Sequence, residues 1–124
     1  MSKPRPKHLA LHLIKLPLPG IVSILHRISG LLLFIALPLL LLMLQYSLNS
    51  IETYTRLTSV LVNPLSKLLL LVLLWAFMHH FFAGLRYLAV DLHWVRDLAR
   101  ARNSSKVVLV ASLLLTVFLG IKLW

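Results

Sequence analysis

Two adjacent histidines, His79 and His80, stand inside an apolar stretch, seven and six residues before the next formal charge at Arg86. An ionisable side chain within an apolar segment is costly and marks function by default. Neutral imidazole is a good axial ligand for haem iron, and it can also hydrogen-bond a neighbouring helix. Gly84 follows His80 by one helical turn on the same face, where a missing side chain lets a flat macrocycle approach the backbone. Tyr87 and Asp91 continue that stripe. Neighbouring side chains on a helix diverge by about 100°, so His79 and His80 cannot both ligate one iron.

A second cluster is Ser23-Ile24-Leu25-His26-Arg27-Ile28-Ser29-Gly30. Ser23 and Arg27 share a helical face, and His26 flanks it. A hydroxyl and a guanidinium at a membrane surface can hold a quinone carbonyl or a carboxylate such as a haem propionate. Arg27 and His26 also have the chemistry of ordinary interfacial anchors. On this spacing His80 lies roughly 9 Å deeper than Arg86, whereas His26 sits at the mouth of its helix. The two histidines are expected at different heights, so His26 suits a propionate better than the iron. A second axial ligand then comes from another subunit, or the site is not a haem site. His8, His12 and His93 lie outside the apolar runs; the i, i+4 spacing of His8 and His12 resembles a helical metal pair, but no third ligand is near and interfacial anchoring explains them.

The elements that position these residues follow from the charges. Ile28 to Ile51 gives 24 residues without a formal charge, Leu68 to Leu85 gives 18, and Val107 to Ile121 gives 15. A helix of 24 residues reaches roughly 36 Å, more than the roughly 30 Å of a hydrocarbon core. The last run is extended by Lys122 and the interfacial Trp124. The sequence predicts an all-α membrane protein with three transmembrane helices at about 23–48, 64–91 and 105–124. It forms a single anchor domain over 1–124, with a basic interfacial segment at 1–22. Pro17, Pro19 and Gly20 are expected to break the chain before the first span. Pro64 suits the first turn of the second, and Asn103, Ser104 and Ser105 offer caps for the third. Pro38 falls inside the first span, which membrane helices tolerate.

Composition agrees and excludes much else. Of 124 residues 60% are hydrophobic and 13% charged, with a mean hydropathy of +0.91. A water-soluble globule this small could not hide so much apolar surface. The absence of cysteine removes disulfides, iron–sulfur ligation and thiol nucleophiles. With only Glu52, Asp91 and Asp97 as acids, paired-carboxylate chemistry is close to excluded. The net charge of +10 has no soluble module to carry it to nucleic acid and fits an anionic lipid surface. Ten Lys and Arg fall in residues 1–27 and the second loop, against three in the first loop and tail. The positive-inside rule then gives a cytoplasmic N-terminus and a periplasmic C-terminus. The first span is too long for a signal peptide and lacks a small-residue cleavage site.

Three segments resemble the cytochrome b-type membrane-anchor subunit of succinate dehydrogenase (succinate:quinone oxidoreductase). They are Arg5-Pro6 followed by His8-Leu9, then residues 23–30, then His80-x-x-x-Gly84-Leu85-Arg86-Tyr87 ending in Asp91. Lys7 and Tyr87 depart from the family pattern, which has Ser-Pro before His8 and often histidine at position 87. The resemblance implies a haem b with His80 as one axial ligand to the iron and a second small membrane subunit supplying the other. It implies Ser23 and Arg27 at a ubiquinone (or other quinone) pocket, and His26 with Arg27 near the haem propionates. It further implies a flavoprotein and an iron–sulfur subunit on the cytoplasmic face, passing electrons from succinate in the tricarboxylic acid cycle to quinone. The chain itself would not oxidise succinate. A motif beginning at Arg5 leaves no room for a transit peptide and points to a multi-pass bacterial inner-membrane protein. The competing reading of the composition is a cofactor-free membrane scaffold or a holin-like pore former, without a chromophore.

Overall fold

The computed structural model describes residues 15–124, so Lys3, Arg5, Lys7, His8 and His12 lie outside the described residues. Among the described residues four helices follow in order: α1 Leu18–Asn49, α2 Ile51–Leu61, α3 Pro64–Asp91 and α4 Leu98–Leu123. Of these, α1, α3 and α4 are long and apolar enough to cross a membrane. The three expected spans are present, with two boundaries shifted.

The first shift is at α1. Pro17 is the N-cap and Pro19 lies in the first turn, so the Pro-Gly run starts the helix instead of stopping the chain before it. The reason is that proline's missing N–H costs nothing where no intrahelical acceptor exists. The helix continues through Pro38. The second shift is at α4, which begins at Leu98, not near 105. Asp97 caps it by accepting the Arg100 backbone N–H at 2.7 Å, a stronger start than Asn103–Ser105 provide. Ser104 and Ser105 lie within the helix and donate back to the Ala101 carbonyl at 3.2 and 2.8 Å.

Helix α2 was not expected. Its 11 residues are far too few to span a bilayer, which needs about 20. A reciprocal capping box starts it: Thr53 N–H donates to Ser50 Oγ at 3.1 Å, and Ser50 N–H to Thr53 Oγ1 at 3.0 Å. The exposed Glu52–Arg56 pair at 2.7 Å has i, i+4 spacing and adds a few tenths of a kcal/mol at most. Asn63 then caps α3 through the Leu65 N–H at 2.9 Å, with Pro64 at its first position. At the far end His93 adopts φ 60°. Its N–H meets the Val90 carbonyl at 2.9 Å, and the Trp94 N–H meets Ala89 at 3.0 Å. This is a Schellman termination with histidine where glycine is usual.

Helix α3 packs against both α1 and α4, and α1 touches α4. The bundle is inverted relative to a soluble protein. Its buried side chains are small or polar: Ala76, Ala83, Ser29, Ser105, Ser112, Thr116, His79 and Arg86, with Val22 and Val108. Large apolar residues such as Phe34, Leu48 and Phe118 face outward. Small residues let helices approach closely where hydrophobic burial offers no gain. Ser112 and Thr116 satisfy their hydroxyls within α4, bonding the Leu109 and Ser112 carbonyls at 3.0 and 2.7 Å.

Candidate functional site

The residues buried on α3, namely Ala76, His79, Ala83 and Arg86, are spaced three and four apart and mark the face turned into the bundle. His80 is rotated off that face and enters the groove between α3 and α1. There it meets the second sequence cluster directly. The His26 and His80 rings stack at 4.2 Å with an interplanar angle of 9°, and the Tyr87 ring lies 5.1 Å from His26. The expectation of different heights is therefore corrected. Because α1 starts at Leu18, His26 lies about 12 Å into the helix and not at its mouth.

The seat of His80 is built from α1. His80 Nδ1 lies 3.1 Å from the His26 carbonyl oxygen and 3.3 Å from Ser29 Oγ. Ser29 is fully buried, and its hydroxyl donates to the same carbonyl at 2.9 Å. Gly30 forms the floor: a Cβ there would stand 2.9 Å from His80 Cε1 and 3.3 Å from Nδ1. No described residue hydrogen-bonds Nε2. At Gly84 an added Cβ would meet nothing within 4 Å among the described residues, which leave the surface one turn along from His80 open.

Other expected residues are placed differently. Ser23 is half-buried and Arg27 exposed, a turn apart on α1. Asp91 is exposed at the end of α3 and joins no ion pair among the described residues. His79 points into the bundle, fully buried, with neither ring nitrogen hydrogen-bonded among the described residues. The Val22 peptide group faces the ring without reaching hydrogen-bond geometry, and Trp75 stacks 5.4 Å away. Arg86 reaches across to α4, donating from Nε to Ser104 Oγ at 3.1 Å. A cleft of about 520 Å³ lined by Leu42, Tyr46, Asn49 and Leu57 lies at the α1–α2 corner, at the opposite end of the bundle from the turn that joins α3 to α4.

Comparison with known proteins decides what this arrangement belongs to. Residues 1–119 match the family model described as succinate dehydrogenase/fumarate reductase transmembrane subunit. The chain belongs to this family. A succinate dehydrogenase cytochrome b556 subunit of Coxiella burnetii (strain RSA 493 / Nine Mile phase I) is 36% identical over 125 residues, covering 100% of both chains. A protein of the same description from Paracoccus denitrificans is 30% identical, over 94% of this chain and 88% of its own. As a succinate dehydrogenase/fumarate reductase transmembrane subunit, the chain is part of a respiratory oxidoreductase and not a free-standing pore or scaffold. Ser29 and Gly30 lie in the second sequence cluster, where the sequence gives them no role; the structure sets both against His80. Their signal was available: two small residues in succession on a membrane helix mark a place where a neighbour comes close.

Proposed function

We propose that this transmembrane subunit holds a haem b through His80 and helps to form the quinone-reduction site of a succinate:quinone oxidoreductase. The observation that carries the proposal is the seat of His80. Its Nδ1 faces two oxygens at 3.1 and 3.3 Å, leaving Nε2 free of any partner among the described residues. A metal-ligating histidine typically has its other ring nitrogen tied in this way. The open surface at Gly84 has room for a flat macrocycle edge, and the gap at Gly30 admits the imidazole. The residues present fit the group. When bound, a haem with two histidine ligands supplies one-electron transfer with no open coordination position.

The other residues take supporting roles. This chain would supply one imidazole to the iron, and a second small membrane subunit would supply the other ligand. His26, stacked on His80, and Arg27 on the next position of α1 are suited to carry the propionates. Ser23 and Arg27 can donate hydrogen bonds to a quinone carbonyl as negative charge develops on its oxygen, near enough to the surface for protons to reach it from water. Ubiquinone is the quinone this reading names.

Orientation rests on the basic residues. The N-terminal end of α1 and the turn joining α3 to α4 lie at one end of the bundle, and seven of the ten described Lys and Arg (Lys15, Arg27, Arg86, Arg96, Arg100, Arg102 and Lys106) belong to that end. That end is cytoplasmic in a bacterial inner membrane, so the iron–sulfur and flavoprotein subunits dock there and the C-terminus is periplasmic. The outward-facing leucines and phenylalanines meet lipid and the partner subunit, and residues 1–124 act as one anchor domain. The quinone assignment is tested with Ser23→Ala and Arg27→Leu in the assembled complex. Quinone reduction should fall while succinate oxidation with an artificial acceptor persists; unaltered quinone reduction in both variants would refute it.

A further inference from the structure

We infer that Ser29 is a positioning residue for the haem site, fixing the tautomer and the ring plane with which His80 presents Nε2. The inference rests on the proposal that His80 ligates the iron and goes beyond it, because Ser29 touches neither the iron nor the quinone in that reading.

The argument starts from hydrogen-bonding capacity. A backbone carbonyl can only accept, so the His26 oxygen at 3.1 Å requires a proton on His80 Nδ1. Ser29 has one proton, and it is committed to the same carbonyl at 2.9 Å. Toward His80 Nδ1 at 3.3 Å the serine therefore offers only a lone pair. Both neighbours of Nδ1 act as acceptors, Nδ1 carries the hydrogen, and the lone pair of the neutral ring stays on Nε2. One acceptor alone would leave the ring free to swing about its Cβ–Cγ bond. Two acceptors on one side, the Gly30 floor on another and the His26 ring stacked at 4.2 Å leave one plane. Ser29 is fully buried and bonds nothing else among the described residues.

The consequence is electronic as well as geometric. Acceptors on Nδ1–H raise the basicity of the ligating nitrogen, which favours ferric over ferrous iron. Removing the Ser29 hydroxyl takes away one of two acceptors while the carbonyl remains. The shift is therefore partial: up to about tenfold in the ferric-to-ferrous ratio at a fixed potential, equivalent to about 59 mV for one electron.

The test uses the whole membrane complex carrying Ser29→Ala or Ser29→Cys, with His80→Ala in parallel. Redox titration of the haem absorbance and the low-temperature EPR signal of ferric haem are the readouts. Ser29→Ala should raise the midpoint and displace the EPR signal, and Ser29→Cys, whose sulfur is a weak acceptor, should do so by less. If Ser29→Ala does not assemble, the near-isosteric Ser29→Cys carries the test alone. Midpoints and EPR signals that superimpose on the unmodified complex would overturn the role of Ser29. With His80→Ala devoid of haem, that result leaves the ligand assignment standing; an unchanged haem spectrum in His80→Ala would sink the ligand assignment itself.

Discussion

Gly30→Ala is the substitution whose effect the geometry fixes most closely. The added Cβ would lie 2.9 Å from His80 Cε1, where carbon atoms settle at about 3.5–4.0 Å, so the ring has to retreat by about 0.6 Å or more. The Nδ1–carbonyl distance of 3.1 Å then stretches past the limit of a hydrogen bond. Overpacking costs about 1–3 kcal/mol and the lost bond about 1 kcal/mol. Alanine recovers at most about 1 kcal/mol over glycine in helix propensity. The balance is a loss of about 1–3 kcal/mol at the ligand seat, or haem retention weaker by about 5- to 150-fold. Haem per assembled complex, measured by absorbance through graded detergent washing, should fall accordingly. Gly84→Ala is the companion: among the described residues nothing lies within 4 Å of the new Cβ, so haem loss there would report a macrocycle against that surface. Full retention of haem with an unshifted spectrum in Gly30→Ala would refute the seat.

Two further outcomes follow from the same structure. His79→Leu removes a fully buried imidazole whose nitrogens lack partners among the described residues; burying such groups costs about 1–3 kcal/mol, so the variant should melt no lower than the unmodified complex and keep its haem. Loss of haem in it would mean the wrong histidine has been assigned. His93→Gly relieves the φ of 60° at the α3–α4 turn and should stabilise the complex by about 1 kcal/mol, read as a higher melting temperature; a lower one would show that the side chain holds the turn.

Much of the fold was legible because long uncharged runs can only be spans in a chain this apolar. The boundaries were less so. Pro17 and Pro19 read as breakers, yet the first turn of a helix has no use for their missing N–H groups. A third span drawn from 105 leaves Asp97 outside it, although Asp97 caps α4, and the capping box of Ser50 and Thr53 is a local signal weaker than the apolar runs beside it. At the site, His80, His26 and Gly84 stood out by type and spacing. The contact between His26 and His80 did not, because register between helices α1 and α3 is a tertiary property. The same is true of Ser29 and Gly30, whose importance comes from what faces them and not from their own chemistry.

The central claim is that His80 grips haem iron within the bilayer. The most direct measurement is the reduced-minus-oxidised absorbance spectrum of the purified complex with and without His80→Ala. A b-type haem signal in the unmodified complex that is lost or markedly displaced in the variant is the predicted result. A spectrum indifferent to the substitution would contradict the account.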